Sequence, residues 1–273
     1  MCRNDGLVFL SPRWNSQRYQ QFYEAEYDLH YRPYATSEDQ EESEHSKFRT
    51  IQTIEQRLPV SLFERSALSV LDVGCGMGWG LDWLQRKHPN IRYMAAVEAS
   101  DRCRENLQSV IGAEVLAAVV EDHWDPKPFD LIVMRHVLEH VGDPLQALTN
   151  VRNNLHRDGV AYIAVPNMMH PHGSLDRYWF RCVHTFYFNR ETLLAFARRA
   201  GLRPISLSSD SSELWGLFTP GDTVDRMIPK RNYRLQKRAI ESQYRVQRLQ
   251  ETKSRMVRTV RDGLRRLRKT DPT

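Results

Sequence analysis

The chain has 273 residues, of which 41% are hydrophobic and 27% charged, and a formal net charge of +5. That length supports one α/β domain with appendages or two small domains, and the composition excludes a disordered or fibrous chain. No apolar stretch reaches the roughly 20 residues that span a bilayer, nothing near Met1 reads as a secretory signal, and Cys2, Cys75, Cys103 and Cys182 are too scattered for a disulfide framework, so reduced thiols and a cytoplasmic location are expected.

In chain order, residues 1–59 are rich in tyrosine and acids. Tyr19, Phe22, Tyr23, Tyr27 and Tyr31 recur at mostly helical spacings, and Pro33 ends that run. The polar SEDQEESEHSK that follows reads as a mobile connector, and residues 48–58 as a helix stopped by Pro59. A repeating pattern then begins. Residues 68–73 form a short, nearly continuous apolar run bounded by glycine, which is how a buried parallel strand reads. Residues 79–87 read as a helix, 91–97 as the next strand, and 101–110 as a helix capped by Ser100 or Asp101. Further strands are expected at 115–120, 129–134 and 160–165. Asp143-Pro144 opens a helix to about residue 155, with the aspartate as N-cap and the proline in first position. An aromatic, His-rich insertion occupies 168–188. Asn189 caps a helix over 190–200 that ends at Gly201, and 203–207 with 213–218 suggest an antiparallel pair at one sheet edge. The alternation implies an α/β fold: a Rossmann-like, doubly wound, seven-stranded and mostly parallel sheet with an antiparallel edge strand. An N-terminal helical cap (1–60), a central domain (61–220) and a basic helical tail (221–273) complete the expected organisation.

The net charge hides an asymmetry. From Arg226 to Lys269, sixteen lysines and arginines face only three acids, Glu241, Glu251 and Asp262, so the rest of the chain is acidic. Two functional parts are implied, not one uniformly basic nucleic-acid binder.

The first strand-to-helix turn of the sheet reads Asp72-Val-Gly74-Cys-Gly76-Met-Gly78. Glycines there let the backbone approach a ligand and adopt positive φ, and the free N–H groups at the following helix start favour an anion. A dinucleotide turn needs G-x-G-x-x-G, and the third glycine would fall on Trp79 or Leu81. The D-x-G-x-G-x-G spacing instead resembles motif I of the class I S-adenosylmethionine (SAM) methyltransferases. FDLIVMRHVLEHVGDP, AYIAVPN and HTFYFNRETLLAFARRAGL resemble a subgroup, similar to methyltransferase types 11 and 23, that often acts on sugars and other small molecules. The resemblance covers residues 5–218. It implies that Asp72, Gly74, Gly76 and Gly78 surround the methionine end and ribose of SAM. It also implies that Glu98, ending the second strand, accepts from the ribose hydroxyls. Asp122 is the likelier acid against the adenine, in preference to Glu121, with His123 or Trp124 as stacking neighbours. Each acid alone could equally be a cap or a solvated charge. The subgroup often carries an N-terminal zinc knuckle; here only Cys2-x-x-Asp5 remains of it, which does not make a four-ligand site, so no metal is expected.

Methyl transfer is an in-line displacement in which the protein mainly aligns nucleophile, methyl and sulfur. A hydroxyl acceptor benefits from a general base, and histidine suits neutral pH. His136 is the first candidate, with Arg135 beside it among the cofactor-binding residues; a packing or capping histidine is the plainer alternative. His140 lies one turn on, but H-E-x-x-H is absent. His184 lies in the insertion expected to roof the acceptor pocket, whereas His170 and His172 fall in a Pro-containing loop. Tyr27 and Tyr31 either cap the methionine end of SAM or glue the N-terminal helix to the domain. The expected partner is a small-molecule or saccharide acceptor, with O-methylation of a sugar preferred. The alternative is an inactive SAM-fold scaffold acting through its tail. Leu249, Val257, Val260, Leu264 and Leu267 stripe the basic tail, which suits a homodimer or an anionic membrane surface at the inner face of the membrane. Nucleic acid is disfavoured, because the tail has few aromatics and no recognised binding motif.

Overall fold

The computed structural model describes the backbone of residues 1–31, 37–125, 127–222 and 227–267, and their side chains except at 31, 37–40, 43 and 255–267. A short strand β1 (Val8–Phe9) leads into helix α1 (Ser16–Gln21), capped by Asn15, which passes through a π-helical turn (Phe22–Glu26) into α2 (Tyr27–Tyr31). Next come α3 (Ser37–Arg57) and the single turn α4 (Val60–Phe63). The SEDQEESEHSK segment is therefore helix and not a connector. Its polar residues, many of them glutamates, have good helix propensity, and the apolar face further on, with Ile51, Ile54 and Leu58, anchors the whole helix on the sheet.

The sheet proper starts with β2 (Leu68–Val73), α5 (Trp79–Lys87) and β3 (Ile91–Val97), all with the bounds expected from their apolar runs. Helix α6 (Asp101–Asn106), capped by Ser100, closes in a π-helical turn to Ile111, and β4 (Glu114–Ala117) is shorter than expected. Residues 118–120 leave the sheet for a turn: Asp122 donates to the Val119 carbonyl and Asn150 Nδ2 to that of Val120. After β5 (Phe129–Arg135) and α7 (Pro144–Asn153), capped by Asp143, β6 (Leu155–Pro166) starts earlier than its apolar run. The insertion folds as a π-helical turn (Leu175–Trp179) and β7 (Phe186–Tyr187), and is followed by α8 (Arg190–Arg199), β8 (Leu202–Asp210), β9 (Glu213–Pro220) and the long α9 (Arg231–Leu267).

Strand order is β4-β3-β2-β5-β6-β9-β8. The first five are mutually parallel; β9 runs antiparallel to β6, and β8 hairpins back at the edge. The chain starts in the middle, moves out to β4 and returns to β5, so a topological switch point lies between β2 and β5. Ligands of open α/β sheets bind at the carboxyl ends of the strands at such a point. One core covers each face of the sheet, and a third, smaller cluster joins Val8, Met168, Leu175, Trp179 and Tyr187 under α9.

Phe129 is fully buried and stacks on Tyr93 with centroids 5.5 Å apart. Phe129→Ala should lower the unfolding free energy by about 3–5 kcal/mol, measured by urea denaturation.

Candidate active site

The turn after β2 carries three residues in the left-handed region: Gly74 at φ 72°, Gly76 at 61° and Gly78 at 79°. A Cβ on Gly74 would lie 2.4 Å from Val137 Cγ2, so this turn also packs against the turn after β5. The buried Glu98, just beyond β3, accepts from Gly76 N–H (2.8 Å) through one oxygen and from Ser100 N–H (3.0 Å) through the other. Asp72, Gly74, Gly76, Gly78 and Glu98 thus form one assembly at the strand ends. Enclosure pushes the Asp72 carboxyl up to about 7 against the pull of Lys47, with Glu98 adding to the rise. This set fits a nucleoside carrying positive charge. A carboxylate such as Glu98 only accepts, as a diol requires, and a cationic ligand would restore the charge of Asp72.

After β4, Glu121 is engaged with the α7 entry, accepting from Gly142 N–H at 2.6 Å. Asp122 is exposed, with its carbonyl held by Asn150 at 2.7 Å. Trp124 is buried in the core, whereas the His123 side chain is exposed. Sequence patterns gave no signal for Asp28, yet its carboxylate accepts from Ser100 Oγ at 2.5 Å and so brings α2 onto the Glu98 corner. Tyr27 packs on Phe22 and Tyr23, and the Tyr31 side chain lies outside the described residues.

Across the switch point, β5 ends at Arg135, and His136 takes φ 55°, a left-handed conformation that costs a non-glycine residue about 1–3 kcal/mol. Its N–H donates to Ala164, and its Nε2 meets Glu213 Oε2 at 2.9 Å. Arg135 donates to the same oxygen at 2.8 Å and Arg57 to Oε1 at 3.2 Å. Burial opposes the charge on Glu213, but His136, Arg135 and Arg57 together outweigh it and hold the carboxyl at about 2. Arg135 is therefore committed to Glu213. Glu213 was invisible from sequence because it is the first residue of the antiparallel strand, set beside Pro166 only by the β6–β9 register.

His184 does not join His136. It packs edge-on against His140, 4.7 Å between centroids, and burial first, then Arg181 and His136, lower it to about 4. His140 Nδ1 lies 2.8 Å from Tyr23 Oη and 3.0 Å from the Val183 carbonyl. His170 bonds Asn167, and His172 packs on Tyr178 and Trp179.

Residues 40–207, more than half of the chain, match the family model described as Methyltransferase domain. The chain belongs to that methyltransferase family. Its family and its fold make it a SAM-dependent methyltransferase. The methyltransferase is 28% identical over 160 residues to a ubiquinone biosynthesis O-methyltransferase of Ralstonia nicotianae, covering 50% of this chain and 64% of that one. It is 29% identical over 107 residues to the Rickettsia akari enzyme of the same name, covering 37% and 41%. The matches thus span less than two thirds of these relatives. Among solved structures, a chain from the complex of the Haloferax volcanii Trm112 methyltransferase activator shares the fold at TM-score 0.57 and 16% identity, covering 72% of this chain and 98% of that one. An O-methyltransferase family protein from Burkholderia thailandensis does so at TM-score 0.53 and 15% identity, covering 74% and 64%.

Because Glu213 is depressed, its cluster stabilises the fold fully above the ordinary value of 4.5 and loses that contribution as pH falls toward about 2. The difference in melting temperature between the wild type and Glu213→Gln should be largest above pH 5 and shrink across that interval, as read by calorimetry.

Proposed function

We propose that the enzyme methylates a hydroxyl of a small-molecule or saccharide acceptor, with His136 as general base. The observation that carries this reading is the His136–Glu213 pair at 2.9 Å. A carboxylate held charged can only accept, so it fixes the imidazole tautomer with a proton on Nε2 and a lone pair on Nδ1. The backbone strain at His136 suits a residue held for a task, and the O-methyltransferase names of the relatives support oxygen as the acceptor atom. SAM supplies the activated methyl group. Asp72, Gly74, Gly76, Gly78 and Glu98 would hold it, with Asp122 toward the adenine. The chain's own contribution is then alignment, exclusion of water by the 168–188 lid, and removal of the hydroxyl proton by His136.

The tail is read as an accessory contact surface. Asn232 and Gln236 of α9 are buried against the body, while Arg231, Arg234, Leu235, Arg238, Arg245 and Leu249 are exposed. No helix among the described residues is long and apolar enough to cross a membrane. An anionic surface or a second copy of the chain fits this outer face; Val257, Val260, Leu264 and Leu267 of the expected stripe lie outside the described side chains.

Two measurements test these readings. Calorimetry should show SAM binding by the wild type, none by Gly76→Arg, and near-normal affinity for His136→Ala, whose turnover should fall about 10²–10⁴-fold; unchanged turnover would remove His136 as the base. Truncation after Ser254 should abolish sedimentation with anionic vesicles or shift a dimer to monomer by light scattering, leaving SAM affinity intact; no change in either would remove the tail reading.

A further inference from the structure

Beneath the lid, three side chains from two separate segments converge. Glu139 and His140 come from the turn after β5 and His184 from the lid, and one ligand atom of each lies within 4.8 Å of the others. The His140 Nε2 to Glu139 Oε1 distance is 3.8 Å. Glu139 is 1% exposed, and its Oε2 has no hydrogen-bond partner among the described residues. A buried carboxylate oxygen without a donor is costly, so the position calls for a cation or a proton.

We propose that Glu139, His140 and His184 bind one divalent transition-metal ion of the zinc class. Two imidazoles are borderline donors that suit such ions better than magnesium or calcium, one carboxylate completes a known zinc ligand set, and three protein ligands leave a fourth position for water or an acceptor oxygen. The outer contacts are those a ligating histidine needs. The Nδ1 of His140 faces the Val183 carbonyl at 3.0 Å and Tyr23 Oη at 2.8 Å, which orients the ring and leaves Nε2 toward Glu139. The backbone is already latched at this point: the Glu139 carbonyl accepts from Thr185 N–H at 2.8 Å and Thr185 Oγ1 at 3.0 Å. Glu139 and His140 are adjacent and His184 lies on the lid, so no H-E-x-x-H motif announces the site and the sequence pattern gives no sign of it.

The test is a cobalt(II) titration of the full chain followed by visible absorption, with zinc as competitor and SAM calorimetry on every sample. One cobalt per chain should bind with a tetrahedral or five-coordinate spectrum and be displaced by zinc. His184→Ala and Glu139→Gln should each weaken binding at least about 100-fold, beyond the loss typical of an outer-shell partner, while the exposed His156→Ala leaves it unchanged. SAM binding by the variants shows that they are folded, and it separates failure of this site from failure of the methyltransferase reading. Absence of stoichiometric cobalt binding by the wild type, or equal binding by both ligand variants, overturns the proposal.

Discussion

Glu98 accepts one backbone N–H from the turn after β2 and another from the turn after β3, and it is buried while doing so. A single anion therefore sets the relative height of two neighbouring turns at the carboxyl ends of the sheet. The parallel β2–β3 register brings the turns side by side, and the left-handed glycines let the first bend back far enough to donate. Everything else at the site hangs on this arrangement. Val137 leans on Gly74 from the β5 turn, and Asp28 reaches Ser100 from the N-terminal helix.

The layout also explains what could be read from residues in order. Strands buried on both faces announce themselves, so Leu68–Val73 and Ile91–Val97 have their expected bounds, and Asp143 and Asn189 cap the helices their positions imply. The glycine turn was equally legible, because its chemistry is local. Side-chain partners across the fold were not. Glu213 meets His136 at a sequence separation of 77, and Tyr23 meets His140 at 117, pairings created only by sheet order and lid docking. Helix α3 does not show itself in the sequence over its first half for another reason: that half carries no apolar stripe to give a period, and its anchor lies further along.

Polarity distinguishes the lid from the rest of the core. Its inner cluster is apolar, but much of what holds it down is amide chemistry. Gln236 donates to the Met168 carbonyl at 3.1 Å, Gln247 accepts from Leu175 N–H at 3.1 Å, and Asn189 donates to both Asn232 and Gln236. Buried amide networks of this kind are worth little when water can replace them and much when it cannot. The buried side of the first turns of α9 therefore belongs energetically to the enzyme body, while their outer side stays exposed.

Asn232 also donates to the Asp5 carbonyl at 2.6 Å, across a sequence separation of 227 residues, and a Cβ on Gly6 would meet the Tyr233 backbone at 2.9 Å. This corner joins the N-terminal segment to the start of α9. During synthesis the central sheet has all its strands by residue 220, while β1 and the lid must wait for α9 before their shared contacts can form. The ribosome therefore finishes the sheet, with its glycine turn and Glu98, before α9 can hold the 168–188 segment in place.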